Sequence, residues 1–426
     1  MSKADVSPGS PSVLMITGEY PPALGGVGDY TELLCSHLSS LGARVSVLTR
    51  AGLDDRVASA GTDRVPVLRT VRSWGPGSWG QIASAVAGCH AQVVHIQYQA
   101  AAYAMNPAIN TLPAYLRARL PRVRIVTTFH DLRVPYLFPK AGPLRGEAVR
   151  ALDLLSHATV VTNQSDLVGL QGAGRRGPTG YRRRWLIPLG SNVENAPPPG
   201  YDRTEWRRQI GADKRTLVAA YFGFLNESKG VDLLVEAVAL LMERGISVKL
   251  LMVGGETGVS DPTNQVYAER VRQAIASRQI DRNIHWTGFA SPQQVSAYLL
   301  SSDLCILPYR DGVSLRRGSL MAALVHGLAV VTTAPQVAEP LLRNGENVTM
   351  VRRNDPVAIA DMAEYLWRDE PRRQRLSAGA MALAAGFQWP DIAARHMELY
   401  AAVLASGRGR RSHSAVPLPR MNEDLP

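Results

Sequence analysis

Short β-branched runs alternate with longer amphipathic stretches along nearly the whole chain, and this alternation constrains the fold more than any other feature. Neighbouring parallel strands need a long crossover, usually a helix, so such a pattern calls for parallel sheets with helices on their faces. In the first half the strand candidates are Val13–Thr17, Val45–Thr49, Val93–Gln97, Ile125–Phe129, Thr159–Thr162 and Trp185–Pro188. In the second they are Leu217–Phe222, Val248–Val253, Ile284–Thr287, Leu304–Leu307 and Ala329–Thr333. The fold class is therefore α/β, and each half reads as a doubly wound sheet.

A chain of 426 residues is too long for one core, given a prior of roughly one domain per 150 residues. The Pro-rich run Gly190–Gly200 is the expected linker. The division expected is a first lobe over 1–195, a second over 196–385, a last helical pattern over 386–405 and a flexible basic tail over 406–426. A net charge of +11 admits nucleic acid, an anionic membrane or an anionic small substrate. Arginines cluster at Arg175-Arg176, at Arg182-Arg183-Arg184, at Arg372-Arg373 with Arg375, and at Arg408, Arg410 and Arg411. None is interleaved with aromatics or set in a nucleic-acid-binding signature, so nucleic acid is not expected as a partner. Cys35, Cys89 and Cys305 stand far apart with no metal spacing, which argues for a reducing compartment and core thiols. No run approaches the ~18 apolar residues of a membrane helix, and a cytoplasmic protein is expected.

The stretch from Leu307 to Thr333 reads as a buried strand, a loop with an acid at Asp311, a helix start carrying Arg316 and Arg317, and a second buried strand. Free amides and the helix dipole at such a start favour an anion, and a diphosphate fits best. Strand Leu217–Phe222 runs into Gly223–Gly230, where Lys229 precedes a helix and is placed to pair with a phosphate; a solvated lysine is the plainer alternative. Glycines at Gly25, Gly26 and Gly28 follow the first strand, where open α/β sheets bind ligands. They do not form the dinucleotide fingerprint.

Taken in order, these motifs resemble nucleotide-sugar glycosyltransferases of the GT-B fold, the retaining group called glycosyltransferase family four. The resemblance spans about residues 11–403. It rests on the Gly25–Gly28 loop, Thr128-Phe129-His130, Ile187-Pro188-Leu189-Gly190, Gly223–Gly230, Gly254-Gly255, Trp286-Thr287-Gly288, Asp311–Thr333 and Asn344-Gly345-Glu346-Asn347. It implies two Rossmann-like lobes with the active site in the cleft between them, donor on the second and acceptor mainly on the first. Lys229 would contact the diphosphate, amides of Gly312, Val313, Ser314 and Leu315 would face donor sugar and phosphates, and Asp311 would bind sugar hydroxyls. Gly223, Asn226 and Gly288 fall in the donor motifs. Gly26 and Gly28 would approach the phosphate from the opposite lobe, and His130 would sit near the transferred sugar. The last helix would cross back to brace the first lobe.

The resemblance thus implies transfer from a nucleoside-diphosphate sugar, UDP favoured, to an acceptor hydroxyl with retention, needing no cofactor and no metal. An epimerase on the same scaffold and a non-catalytic nucleotide-sugar-binding protein are the alternatives. The family's second acid, eight positions after the first, falls here on Ser319, which could bond a ribose hydroxyl more weakly. Phe224 stands where the family has a diphosphate-gripping arginine, and Arg317, with Arg316, is expected to supply that charge.

Outside the resemblance, His130 reads equally as a satisfied histidine at a sheet edge. On the acceptor side His95, Gln97 and Tyr98 are candidates, with tautomer-fixing partnership the alternative, and Glu19, Tyr20 and Asp131 join them. The pattern over 106–120, with Arg117, Arg119, Arg122 and Arg124 in and beyond it, suggests weak peripheral membrane contact.

Overall fold

The computed structural model describes residues 10–23, 25–52, 65–132, 144–172, 184–255 and 263–406. Arg175, Arg176, Arg182, Arg183 and the tail from 407 onward, with its arginines, lie outside the described residues.

The first sheet has seven parallel strands: β1 (Ser12–Thr17), β2 (Arg44–Arg50), β3 (Val67–Val71), β4 (Val93–Tyr98), β5 (Arg124–Phe129), β6 (Ala158–Val161) and β7 (Arg184–Leu186), in the order β3-β2-β1-β4-β5-β6-β7. The second has six: β8 (Leu217–Phe222), β9 (Val248–Val253), β10 (Ile284–Trp286), β11 (Leu304–Leu307), β12 (Ala329–Thr333) and β13 (Thr349–Val351), in the order β10-β9-β8-β11-β12-β13. Helices α1 (Gly26–Ser40), α2 (Trp79–Gly88), α3 (Ala108–Arg119), α4 (Leu144–Leu155) and α5 (Gln164–Gly172) belong to the first lobe. Helices α6 (Arg203–Gln209), α7 (Val231–Glu243), α8 (Thr263–Ser277), α9 (Pro292–Ser301), α10 (Gly318–Val325), α11 (Pro356–Arg368) and α12 (Glu370–Ala384) build the second, and α13 (Trp389–Ser406) ends the described chain. The chain is thus two Rossmann-like parallel-sheet lobes.

Alternation along the strands sorts side chains onto two covered faces, as parallel sheets require. Leu14, Ile16, Val94 and Ile96 pack on one face with Ile82, Leu112 and Leu152 from α2, α3 and α4. Val13, Met15, Val45 and Val47 pack on the other with Leu34 and Leu38 of α1 and Ile392, Leu399 and Tyr400 of α13. The last helix therefore returns to the first lobe and completes its core. Its start is pinned to the segment after β7, where the Trp389 indole donates to Ser191 O at 2.7 Å.

Two edge strands were not expected from sequence: β3, where Arg69 interrupts the apolar run, and the three-residue β13. On α3, Ile109, Leu112 and Leu116 are buried, and Arg117 donates to Leu155 O at the end of α4. No helix among the described residues is long and apolar enough to cross a membrane.

Candidate active site

In each sheet the connection reverses direction once, between β1 and β4 and between β8 and β11. Crevices at such switch points, beyond the strand carboxyl ends, are where open α/β sheets hold ligands. In the second lobe the loops at that point are Gly223–Gly230 after β8 and Pro308–Arg317 after β11.

These loops are locked together. Arg310 N–H donates to Ser228 O at 2.8 Å, and Gly230, at φ +65°, lies where a Cβ would stand 2.2 Å from Pro308 O. Only glycine combines that conformation with that approach. The fold of the loop brings the Lys229 ammonium against Gly223, where a Cβ would be 2.6 Å from Nζ. Burial, with a smaller push from Arg317, lowers Lys229 to about 8. Asn226 accepts from Ser228 Oγ at 2.7 Å and shapes the turn. Gly288, at φ +62°, bridges to Gly254 at the ends of β10 and β9.

After β11 the acid and the arginines meet each other. Arg317 donates to Asp311, Arg316 stands 3.5 Å from the same carboxylate, and Arg317 lies 4.6 Å from the Tyr309 ring centroid. Tyr309 in turn bonds Ser319 Oγ at 2.7 Å. Arg317 and Lys229 are thus electrostatic neighbours. Phe224, at the arginine's position, instead meets Phe289 edge-on, with ring centroids 6.3 Å apart.

Of the amides expected to face a donor, two are already engaged: Gly312 N–H donates to Tyr309 O at 3.1 Å and Val313 N–H to Thr333 O at 3.2 Å. The Leu315 N–H faces the Glu339 carboxyl, which leaves Ser314 as the donor nearest the expected role. Ser314 Oγ and Arg317 Nε are sealed from solvent with no hydrogen-bond partner. Buried polar atoms normally find partners, so such vacancies point to a ligand.

On the first lobe, Gly26 opens α1 and is exposed with open space around it, while Gly28 is pressed on the Tyr20 backbone. Glu19 lies over Gly25 at this helix start. His130 is half-buried, edge-on to Tyr30 at 4.8 Å, with its Nε2 2.9 Å from Gln97 Oε1. An amide oxygen only accepts, so Nε2 carries the proton and Nδ1 keeps its lone pair. Burial, then His396, hold His130 down to about 3, so it is neutral at pH 7. Asp131 lies near Gln99, with Nε2 to Oδ2 at 3.5 Å.

Three acceptor candidates face the core. His95 is fully buried between Tyr400 Oη and Thr128 Oγ1, each at 2.7 Å; Gln97 is fully buried beneath His130; and Tyr98 is fully buried against Asn110. All three are enclosed by protein partners, on a strand covered on both faces. Tyr20, 3% exposed, packs under Arg69. Glu19 and Asp131 remain half-buried at the strand ends.

Two acids escaped sequence reasoning. Asp166, in the first turn of α5, is buried, accepts from Asn163 at 2.7 Å and reaches Arg316 of the other lobe at 3.8 Å. Glu339, in the loop after β12, is buried beside Leu315 and Arg316, and burial pushes it up to about 7. Neither lies in a motif; folding alone brings them to the seam between the lobes. Among the described residues, no group of three or more His, Cys, Asp or Glu is placed to hold a metal.

Two Rossmann-like lobes joined across this seam form the GT-B architecture. The model of the family "Glycosyl transferase 4-like domain" matches residues 25–180, and that of "Glycosyl transferases group 1" matches residues 202–382. A curated relative, the D-inositol 3-phosphate glycosyltransferase of Corynebacterium diphtheriae, is 29% identical over 219 residues, 50% of this chain and 49% of that protein. The chain spans about half the length of the curated relatives it matches. Among solved structures, Anabaena HepE, in complex with UDP and glucose, superposes with a TM-score of 0.73 at 17% identity, covering 92% of this chain and 99% of that one. Sucrose-phosphate synthase from Thermosynechococcus elongatus gives 0.71 at 18%, covering 93% and 100%. The chain belongs to the GT-B glycosyltransferases of the family-four type.

Proposed function

We propose that this protein moves a sugar from a nucleoside-diphosphate sugar to an acceptor hydroxyl, with retention at the anomeric carbon and without a divalent ion. One observation carries the reading: at the second lobe's switch point the Lys229 ammonium neighbours Arg317, whose Nε is sealed without a partner, and Ser314 Oγ in the same loop as Arg317 is sealed and partnerless too. Two cations, a hydroxyl and the Ser314 amide suit a diphosphate. HepE, a structural neighbour solved with UDP, supports UDP as the donor nucleotide.

In this reading Lys229 and Arg317 stabilise the negative charge that builds on the phosphate as its bond to the anomeric carbon breaks. The acceptor oxygen bonds that carbon on the same face, and its proton passes to the departing phosphate oxygen. His130, neutral, offers Nδ1 to a sugar hydroxyl, and Asp311 takes another once a donor draws its arginines toward phosphate. Lobe closure excludes water.

The test is a thermal-shift screen with UDP, GDP, ADP and TDP, followed by incubation with the matching sugar donors. Transfer, or slow donor hydrolysis, is the expected result. Isomerised donor would make the protein an epimerase, and saturable binding without turnover would make it a binding protein; either ends the transfer reading.

A further inference from the structure

The acid least accounted for is Glu339. It is 6% exposed, and its Oε1 is sealed from solvent with no hydrogen-bond partner. A carboxyl oxygen buried without a donor is costly and persists only where something offsets it. Its neighbours say where it stands: the Leu315 amide and Arg316 from the donor loop, and Asp166 from the first lobe. Glu339 therefore lies at the seam, on the donor side.

The other acids there are engaged. Asp311 faces Arg316 and Arg317, and Asp166 is held by Asn163 and Arg316. Ser319, at the position of the family's second acid, is bonded to Tyr309. Resting on the donor reading above, the nucleotide lies on the second lobe at Lys229, and the sugar must reach the seam to meet an acceptor on the first. A sugar hydroxyl arriving there would find the free oxygen of Glu339.

We propose that Glu339 contacts the substrate: its Oε1 accepts a hydrogen bond from a hydroxyl of the transferred sugar, a carboxylate brought to the seam by the loop after β12. The residue then discriminates a nucleotide sugar from the bare nucleotide, a distinction that Lys229 and Arg317, which hold the diphosphate, do not make.

The test compares Glu339→Ala and Glu339→Gln with the wild type by calorimetry, using UDP-glucose against UDP, GDP-mannose against GDP and ADP-glucose against ADP. For the pair the wild type binds, Glu339→Ala should weaken the nucleotide sugar by ~10-fold while leaving the nucleotide unchanged. Glu339→Gln, which keeps an accepting oxygen, should recover part of that loss. The ligand-free melting temperature of Glu339→Gln should match or exceed the wild type's, because a buried carboxyl with one unpartnered oxygen has gone. Equal loss for nucleotide and nucleotide sugar would mean that Glu339 only supports the Leu315 loop, and no loss for either would mean that it faces no ligand; both overturn the proposal. A wild type that binds none of the six ligands removes the donor reading first, and this proposal with it.

Discussion

The Arg317 guanidinium lies 4.6 Å from the centroid of the Tyr309 ring, whose hydroxyl bonds Ser319 at 2.7 Å. A cation over a fully buried ring is desolvated, which strengthens its attraction to the ring and to any anion that replaces water. Asp311 takes one donor of this guanidinium, while Nε has none. Arg317 is thus held in place with part of its donor edge unspent.

If that edge receives the diphosphate, Arg317→Ala should weaken UDP binding ~10- to 100-fold, the worth of a charged hydrogen bond. Arg317→Lys should recover little, because an ammonium cannot reproduce the planar fork. Calorimetry with UDP reads both. Unchanged affinity and turnover in Arg317→Ala would return the missing charge to an unknown source.

Lys229 gives a pH signature. Burial, with Arg317, brings it down to about 8, so it is largely charged at pH 7 and loses its proton as pH rises through about 8. UDP affinity should fall across that window, and Lys229→Met should flatten the profile. The ligand-free fold should move oppositely. An unfolded lysine keeps its proton to about 10.4, so for this group stability rises with pH between those values. Melting curves with and without UDP at pH 7 and pH 9.5 separate the two effects.

The donor loop was legible in sequence because its parts are contiguous: Lys229 and Asp311 each lie in the loop that follows an apolar strand, and the strand extents Leu217–Phe222 and Val248–Val253 match the structure residue for residue. The seam was not. Asp166 and Glu339 carry no local pattern, and only folding brings them to Arg316. The surroundings of His95 and Gln97 were hidden for a related reason. Their strand ends at the ligand side of the sheet, but α13, from the far end of the chain, covers His95 and supplies Tyr400 as its partner.

Gly230 tests the loop lock. At φ +65°, with Pro308 O where a Cβ would go, Gly230→Ala must push the two donor loops apart. The strained conformation alone costs about 1–3 kcal/mol, so a lower melting temperature is expected. Gly26→Ala meets nothing within 4 Å and should leave stability nearly unchanged. In Gly230→Ala the stabilisation by UDP should also shrink, because Lys229 and Arg310 move with the loop. A UDP response of wild-type size would mean that the lock does not position Lys229.

His130 is held to about 3 by burial and by His396, itself drawn down to about 4 by burial, and His95 is lowered in the same way. All three are neutral in the fold at pH 7. Turnover should therefore show no inflection from a histidine near pH 6.5, and, if the imidazole faces sugar rather than phosphate as proposed, His130→Asn should lower turnover while leaving UDP affinity unchanged. Stability carries the complementary sign. Histidines in the unfolded chain take protons below about 6.5 that these three refuse in the fold, so their contribution is complete above that pH and is lost as pH falls toward 4 and below. Replacing His130 by Asn should make acid unfolding shallower in melts from pH 7 to pH 4. A slope identical to that of the wild type would show that His130 takes its proton in the fold as readily as in the unfolded chain, and burial would not be what keeps it neutral.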